Sequence, residues 1–391
     1  MATYIRRRME RVALDMAKSF PVVTIIGPRQ SGKTTLVRKV FPEYGYVNLE
    51  QPDIRLFAEQ DPRAFLKRYA PPIIIDEIQR VPDLLSYIQV MVDEDRTRRG
   101  QFILTGSHQI GLRAAISQSL VGRTALLRLL PLSVSELYDA GIILDRDEYL
   151  YRGCMPRLYE DELSPTILYG QYYQTYVERD VRQIANIRNI IAFETFIRLL
   201  AGRIGQVVNM SDLANSTGMS ASTLTEWLGI LEASFIIFRL PPYFENFGKR
   251  LIKSPKIFFT EPGLAAWLLG IQEARQIGIS PYLGGLFENL VVVEALKARF
   301  NDGKESNLYF WRDNNGLEAD LLASNFGGLT PIEIKASMTF SKDFGKAFPR
   351  LRKASDTIKA GYVIYAGDLE AEVSGTRFIN FTKTEKVIRE V

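Results

Sequence analysis

Short apolar runs separated by helix-compatible stretches dominate the first third of the chain. Residues 22–26 (VVTII) form an apolar run that a Gly-Pro pair ends, which is typical of a buried strand. Similar runs follow at 46–49, 73–75 and 102–104, and the stretches between them, such as 32–40, favour helices. Strand-like runs that alternate with helices predict an α/β fold with a parallel sheet.

The pattern changes after residue 131. Residues 132–200 are mostly helix-compatible, and residues 207–240 have the cadence of a helix-turn-helix, with Gly218 between two predicted helices. A second α/β unit begins near Gly284, with a helix at 284–299. Its strand-like runs are 308–312, 317–323, 331–335 and 361–365. These changes predict four segments with the boundaries 1–131, 132–205, 206–270 and 284–391.

The amino-acid composition restricts the kinds of catalytic and metal site that the chain can form. The chain has 391 residues, with a single cysteine, Cys154, and a single histidine, His108. These counts exclude an internal disulfide and the common His/Cys metal sites. The ligands of any bound metal must then be carboxylates and hydroxyls, which indicates magnesium or manganese. The net charge of +4 permits nucleic-acid binding without arguing for it. The charged N-terminal stretch 4–19 reads as a basic amphipathic helix. Because there is no signal-like or membrane-spanning apolar run, we expect a cytoplasmic protein without a membrane partner.

Residues 27–34 read GPRQSGKT, the G-x-x-x-x-G-K-T pattern of a phosphate-binding loop (P-loop), between a predicted strand and a predicted helix. Its glycines let backbone amides approach phosphates. Lys33 can reach the β- and γ-phosphates, and the Thr34 hydroxyl can hold magnesium. The residues expected to bind ATP are Gly27, Pro28, Arg29, Gln30, Ser31, Gly32, Lys33, Thr34, Thr35 and Asp76.

Two further strand ends supply the remaining polar groups. The run 71–77 (PPIIIDE) ends in Asp76, expected at the magnesium ion, and Glu77, expected to orient and activate the attacking water. The third strand ends in 105–107 (TGS), from which Ser107 or Thr105 would contact the γ-phosphate or the water. The adjacent His108 either contacts phosphate or DNA or is a hydrogen-bonded loop histidine, and we favour the second interpretation.

With these motifs the N-terminal half resembles AAA-type P-loop ATPases. More specifically, it resembles the subgroup with a G-P-R-Q-x-G-K-[ST] loop, an LTGS strand end and an LxGR…LxPLSxxE stretch. Here these motifs lie at 27–34, 104–107, 120–123 and 130–136. The resemblance implies a ring of six subunits in which an arginine of one subunit completes the ATP site of its neighbour. Its candidates are Arg123, Arg179 and Arg182, and the alternative is that each pairs with a surface carboxylate.

A second constellation lies near the C-terminus. Glu333 and Lys335 are two apart on a predicted strand and so share a face, while Asp320 fits the antiparallel partner strand and Glu288 the preceding helix. Three carboxylates and a lysine predict a magnesium site, with Asp320 and Glu333 as metal ligands. The spacing resembles the D-x(n)-E-x-K core of restriction-endonuclease-like nucleases. This half also resembles the domain of unknown function that follows such AAA modules. The resemblance implies catalysis by the four residues, or a nuclease fold kept for scaffolding with an idle site.

The middle segment resembles a winged helix-turn-helix. Its second helix offers hydroxyl groups to a phosphate or a base edge but has no lysine or arginine, so we expect no sequence-specific readout. These hydroxyls belong to Ser220, Ser222, Thr223 and Thr225. The basic loop that follows, with Lys249, Arg250, Lys253 and Lys256, would grip a DNA backbone unless the segment serves domain packing. A second basic run, either a phosphate track or a solvated helix face, comprises Lys342, Lys346, Arg350, Arg352, Lys353 and Lys359.

The motifs together favour a DNA-associated, magnesium-dependent ATPase with a nuclease-like C-terminal domain. The alternative is a nucleotide-switched regulator or scaffold whose C-terminal fold binds a protein partner. A small-molecule kinase is disfavoured, because Asp76 and Glu77 form the pair expected of a nucleoside triphosphatase and because a kinase leaves the C-terminal half unexplained.

Overall fold

The computed structural model describes residues 4–391 except 96, 108–111, 162, 182–186, 188, 244–253, 313–315 and 359. The strands are β1 Val22–Ile26, β2 Gly45–Asn48, β3 Ile73–Asp76, β4 Phe102–Gly106, β5 Thr124–Arg128, β6 Ile237–Leu240, β7 Lys256–Phe259, β8 Leu308–Arg312, β9 Glu318–Asn325, β10 Gly328–Lys335, β11 Gly361–Tyr365, β12 Ala371–Val373 and β13 Thr376–Asn380.

The α-helices are α1 Met9–Ser19, α2 Lys33–Val40, α3 Pro52–Gln60, α4 Pro62–Arg68, α5 Leu84–Glu94, α6 Leu112–Ser119, α7 Val134–Asp139, α8 Arg146–Arg152, α9 Arg157–Glu160, α10 Pro165–Tyr172, α11 Ile190–Ala201, α12 Met210–Thr217, α13 Ala221–Ala233, α14 Pro262–Leu268, α15 Leu283–Asn301, α16 Phe348–Ala354 and α17 Thr384–Glu390. A π-helix at Tyr173–Val181 continues α10, and short 3-10 turns lie at Ile78–Arg80, Ala274–Gln276, Lys342–Gly345 and Phe381–Lys383.

The N-terminal unit is built on a five-stranded sheet in the order β2-β3-β4-β1-β5, with all neighbours parallel. The predicted α/β class with a parallel sheet is confirmed. β1 is buried along its whole length, as its uninterrupted apolar sequence predicts. β4 lies between β1 and β3, so the polar residues after β4 stand between the P-loop and the end of β3. The edge strand β5 was absent from the predicted runs.

The first helix is shorter than its sequence pattern predicts. The stretch 4–19 was expected to be helical, but α1 begins at Met9. Upstream of it, the Glu10 carboxylate accepts hydrogen bonds from the Arg7 backbone N–H and the Tyr4 hydroxyl, both at 2.9 Å. The Arg7 side chain turns into the protein, where it is 4% exposed, so this basic residue does not belong to a solvated face.

The middle of the chain contains the predicted helix-turn-helix. α12 ends at Gly218, whose φ of 68° is left-handed and favours glycine, and Ser220 caps α13 by accepting a hydrogen bond from the Thr223 N–H at 3.1 Å. The antiparallel pair β6–β7 follows. Leu224, Trp227 and other residues on one side of α13 are buried, so the helix packs inward and leaves its hydroxyl side exposed.

The C-terminal unit is a six-stranded mixed sheet in the order β12-β13-β11-β10-β9-β8. β8, β9 and β10 form an antiparallel meander, whereas β10, β11 and β13 are parallel neighbours. The predicted runs match β8 and β11 and fall within or one residue from β9 and β10, while β12 and β13 were missed. Helix α15 packs against this sheet and carries an almost continuous series of buried residues.

A buried polar contact joins the N-terminal unit to α15. The Lys297 ammonium donates hydrogen bonds to the Leu132 carbonyl at 2.7 Å and to the Glu294 carboxylate at 2.8 Å, and Glu294 accepts one from the Val134 N–H at 2.7 Å. Both charged side chains are buried, so each compensates the other. The end of the AAA-like stretch and the long C-terminal helix are therefore held in a fixed register. Among the helices that the structure describes, none is long and apolar enough to cross a bilayer.

Candidate functional site

The loop between β1 and α2 has the backbone of a phosphate cradle. A Cβ atom at Gly27 would lie 2.0 Å from the Leu129 carbonyl oxygen, so only glycine allows this close approach. Gly32 adopts a φ of 88° at the start of α2, and Gln30 a φ of 62°. The Ser31 hydroxyl is buried and has no hydrogen-bond partner among the described residues. A buried polar atom without a partner inside such a loop fits the binding of an oxygen-rich anion.

Lys33 lies inside this loop. Its ammonium donates to the carbonyl oxygens of Gly27 at 3.0 Å and Pro28 at 2.7 Å, and the residue is 5% exposed. Burial lowers the pKa of Lys33 to about 8, against the opposing attraction of Glu77 and Asp76. The lysine is thus held at the centre of the loop, where a phosphate would gain a charged donor.

This pKa predicts a pH dependence of nucleotide binding. Bound phosphates stabilise the protonated ammonium, so binding above pH 8 takes up a proton and becomes weaker as the pH rises. We expect the dissociation constant for ATP to increase about tenfold between about pH 7 and about pH 9. Titration with a fluorescent ATP analogue measures this, and Lys33→Arg, which stays charged over the whole range, should lose the dependence. Equal wild-type affinity at both pH values would contradict the prediction.

Asp76 stands at the end of β3 beside the loop. One of its oxygens, Oδ2, accepts hydrogen bonds from the Thr34 and Tyr46 hydroxyls, each at 2.8 Å, and Oδ1 accepts one from Thr105. A hydroxyl and a carboxylate in contact are the hard oxygen donors that magnesium prefers. The predicted pair Thr34 and Asp76 therefore fits a magnesium ion that accompanies ATP.

Glu77 follows directly, with a left-handed φ of 57° that departs from the strand. Its Oε2 accepts a hydrogen bond from the Ser107 hydroxyl at 3.0 Å and another from the Gln79 amide. Gln79 also donates to Ser107 Oγ at 3.0 Å. These contacts hold the carboxylate beside Lys33 and leave its second oxygen for a water. Gln79 was not among the predicted site residues, although its position two residues after the carboxylate pair was a usable signal.

The loop opens into a cleft of about 500 Å³. Of the residues predicted to bind ATP, those that line it are Arg29, Gln30, Gly32, Lys33, Thr34 and Thr35. Gly27, Pro28, Ser31 and Asp76 lie outside that lining. Arg29 stands 3.5 Å from Glu50 and over the ring of Tyr176, and Arg157 at the start of α9 forms part of the opposite wall. The cleft is large enough for a nucleotide, and its walls carry both charges.

Arg7 holds the P-loop backbone in place, a role that the sequence pattern did not predict. Its guanidinium donates to the carbonyl oxygens of Ser31 and Leu130, each at 2.7 Å, and its Nε donates to Glu136 at 3.1 Å. Glu136 also forms a capping box with Ser133 at the start of α7. The LxPLSxxE stretch therefore has a structural role: its glutamate fixes the arginine that holds the P-loop backbone.

One of the three arginine-finger candidates lies away from this site, and the side chains of the other two are outside the described part of the chain. Arg123 is at the amino-terminal edge of the sheet, where its carbonyl accepts from Val22 N–H, whereas the P-loop leaves the opposite edge. Its guanidinium binds both oxygens of Asp93, at 2.9 and 2.7 Å. Arg123 therefore does not reach the P-loop of its own chain, and a role toward a neighbouring subunit stays a prediction. The Arg179 side chain, Arg182 and His108 lie outside the described residues.

The predicted C-terminal carboxylates converge as expected. Asp320 on β9 faces the strand that carries Glu333 and Lys335, and it accepts a hydrogen bond from the Ile334 N–H at 2.8 Å. Lys335 Nζ lies 2.5 Å from Glu333 and 3.7 Å from Asp320. Burial, together with the neighbouring Asp320, raises the pKa of Glu333 to about 7, and Lys335 opposes the shift.

Glu288 joins the cluster through Lys256, a residue that the sequence pattern places in the basic loop. Lys256 was expected in a DNA-gripping basic loop, but it is the first residue of β7, is 3% exposed, and contacts Glu288 at 2.9 Å and Glu318 at 2.7 Å. It therefore cannot grip a DNA backbone from this position. The other residues of that loop, Lys249, Arg250 and Lys253, lie outside the described part of the chain.

The donor set of this cluster does not fit a bound metal in the arrangement observed. Across the described residues, no group of three or more carboxylate, histidine or cysteine side chains is placed to hold a metal ion. Lysine ammonium groups stand between the carboxylates instead. The magnesium-ligand assignment of Asp320 and Glu333 remains a prediction without support from this geometry.

The hydroxyl side of α13 and much of the second basic run are exposed to solvent. On α13, Ser220, Ser222 and Thr225 are exposed, and its only charged residues are Glu226 and Glu232. In the second basic run, Arg352 donates to the carbonyls of Ser374 and Gly375 at 3.2 and 2.8 Å, and Lys359 is outside the described residues. The exposed members of that run are Lys342, Lys346, Arg350 and Lys353.

Comparison with known proteins places these features in a family. Residues 19–138 match an AAA domain, residues 143–275 a domain of unknown function (DUF8612) and residues 283–384 another (DUF4143). Two solved structures are similar over parts of the chain: the Walker-type ATPase PABY2304 of Pyrococcus abyssi and AMPPCP-bound DnaA from Aquifex aeolicus. The first is 14% identical and covers 68% of this chain and 96% of that one, with a TM-score of 0.43. The second is 12% identical and covers 57% of this chain and 85% of that one, with a TM-score of 0.29.

Two relatives that match almost the whole of this chain give the clearest assignment. The uncharacterized proteins Rv2008c of Mycobacterium tuberculosis and Mb2031c of Mycobacterium bovis are each 31% identical to this chain, over 96% of it and 81% of their own length. An uncharacterized protein of Haemophilus influenzae is 27% identical over 66% of the chain and 65% of its own length. The chain belongs to the same family as the two mycobacterial proteins, with an AAA-type ATPase domain in its N-terminal third.

Proposed function

We propose that this protein hydrolyses magnesium-bound ATP at the P-loop and uses the energy to act on DNA. The observation that carries the first part is the convergence of Lys33, Asp76 and Glu77 at the carboxyl ends of β1 and β3, which are parallel and flank β4. In an open α/β sheet these ends are where ligands bind.

Each residue has a distinct task in this mechanism. Lys33 releases the Gly27 and Pro28 carbonyls and binds the β- and γ-phosphate oxygens. Thr34 and Asp76 would hold magnesium, which neutralises phosphate charge when it is bound. Glu77 orients a water and accepts its proton as the water oxygen bonds to the γ-phosphorus. The bond to the β–γ bridging oxygen breaks, leaving ADP and inorganic phosphate.

Ser107 and Gln79 are positioning residues in this scheme. Both donate to the same Glu77 oxygen, so they fix the direction of the other one. In a ring of six subunits, Arg123, Arg179 or Arg182 of a neighbouring subunit would supply the charge that stabilises the transferring phosphoryl group.

The DNA part of the proposal rests on the helix-turn-helix. We assign residues 1–131 to the ATPase core, 132–205 to a helical lid, 206–270 to the winged-helix-like unit and 284–391 to the nuclease-like unit. The exposed hydroxyls of α13 suit contacts to phosphates but not the reading of bases, because this helix has no basic residue. We therefore expect binding that depends on DNA structure rather than on sequence.

DNA-stimulated ATP hydrolysis tests this function. Phosphate release by the purified protein should increase several-fold when duplex, single-stranded or junction DNA is added, and Lys33→Ala should remove both the basal and the stimulated rate. A rate that no nucleic acid changes would contradict the DNA part and leave the ATPase part standing.

A second candidate is a nucleotide-switched scaffold whose C-terminal unit binds a protein partner. The lysines between the C-terminal carboxylates favour it, because they occupy the position that a catalytic metal would need. Incubation of wild type and Glu333→Ala with the same DNAs and manganese separates the two candidates. Cleavage by the wild type alone supports a nuclease, and no cleavage by either protein supports the scaffold.

A further inference from the structure

Lys256 occupies an unusual position for a lysine. It is buried at the first residue of β7, where its backbone pairs with Leu240 on β6 and bridges to Val207. Its ammonium lies between Glu288 of α15 and Glu318 of β9, and 5.5 Å from the centre of the Phe310 ring. One charged group thus contacts a helix, a strand and an aromatic ring of the C-terminal unit.

Three cationic side chains offset most of the negative charge around Lys256. The cluster contains four carboxylates, from Glu288, Glu318, Asp320 and Glu333, against the ammonium groups of Lys256 and Lys335. Arg312 adds a guanidinium 3.6 Å from Glu318. Burial, with a smaller contribution from Asp320, raises the pKa of Glu288 to about 8, and Lys256 opposes the shift.

The surrounding backbone leaves Glu288 little freedom to turn. A Cβ atom at Gly205 would lie 2.7 Å from Glu288 Oε2, so the backbone that follows α11 closes over this carboxylate. A divalent cation of the magnesium class needs several anionic oxygens arranged around one point. Here Glu288 and Glu318 instead point at the ammonium of Lys256.

We propose that Lys256 is the resident cation of this cluster and that the cluster fastens the β6–β7 pair to the C-terminal sheet instead of holding a divalent metal. Lys256 lies on β7, and its three contacts come from α15, β9 and β8, elements that meet only in the folded chain. This role is independent of ATP hydrolysis and does not require the DNA part of the proposed function.

Removal of the ammonium should reveal the site that it fills. In Lys256→Met, Glu288 and Glu318 stay partly buried but lose their counter-charge, so the melting temperature should fall by about 5–10 °C. Manganese added without nucleotide should restore part of this loss, because the freed carboxylates then bind it. The double variant Lys256→Met/Glu288→Gln should lose the response to manganese, and Lys256→Arg should not acquire it.

A second test starts from the wild type and does not depend on the folding of Lys256→Met. Without nucleotide, manganese should leave its melting temperature unchanged, and equilibrium dialysis should find no manganese that depends on Asp320. An Asp76→Asn control removes any contribution of the ATP site. Manganese that stabilises the wild type, with the effect lost in Asp320→Asn, would overturn the proposal, as would a Lys256→Met protein as stable as the wild type.

Discussion

Glu77→Gln should stop ATP hydrolysis while leaving ATP bound. The amide cannot accept the proton of the attacking water, and loss of a positioned general base typically lowers a rate by about 10²–10⁴-fold. ATP binding should persist, because the Lys33 ammonium and the loop backbone are unchanged. Phosphate release measures the rate, and filter retention of labelled ATP measures binding.

The same variant should show the assembly that holds the nucleotide. Mass measurement of Glu77→Gln with magnesium and ATP is expected to find a ring of six subunits. Glu59→Gln, a matched change at an exposed carboxylate of α3, should hydrolyse ATP like the wild type. Hydrolysis by Glu77→Gln at the wild-type rate would refute the assignment of Glu77, and a nucleotide-bound monomer would refute the arginine finger in trans.

Arg7→Met should be the most damaging single change to stability. It leaves Glu136 buried without its counter-charge and the carbonyls of Ser31 and Leu130 without a donor. Removal of one partner of a buried ion pair lowers the free energy of unfolding by about 3–5 kcal/mol. Denaturant unfolding measures this cost, and Arg11→Met, which removes a 91% exposed arginine from helix α1, is the matched control with almost no expected loss.

A positioning role of Arg7 predicts more than lost stability. Below its unfolding transition, Arg7→Met should bind ATP more weakly, because the Ser31 carbonyl no longer fixes the loop backbone. Arg7→Lys should recover part of the stability but less of the affinity, because one ammonium cannot serve three separated acceptors. Unfolding and ATP affinity indistinguishable from those of Arg11→Met would contradict this role.

Local patterns were sufficient for much of the fold. The strand β1 was predicted with its observed bounds because its five residues are all buried, so the apolar run and the strand are the same thing. Asp320 and Glu333 were predicted on facing antiparallel strands because alternation and a short connection fix that register. The edge strand β5, which has a mixed burial pattern, was not among the predicted runs.

The missed contacts are those that join distant parts of the chain. Arg7 meets Glu136 across 129 positions and Lys256 meets Glu288 across 32, so no local pattern distinguishes these buried cations from solvated ones. Both were assigned to basic, solvent-facing stretches for this reason. Charge alone does not indicate exposure, since a lysine or arginine can be buried wherever distant carboxylates and carbonyls meet it.

The central claim is that the P-loop of this chain hydrolyses ATP, and steady-state phosphate release from magnesium and ATP tests it most directly. The wild type should release phosphate, and Lys33→Ala, prepared in the same way and with an unchanged circular dichroism spectrum, should release none above the protein-free background. No release by the wild type, or equal release by both proteins, would contradict the account.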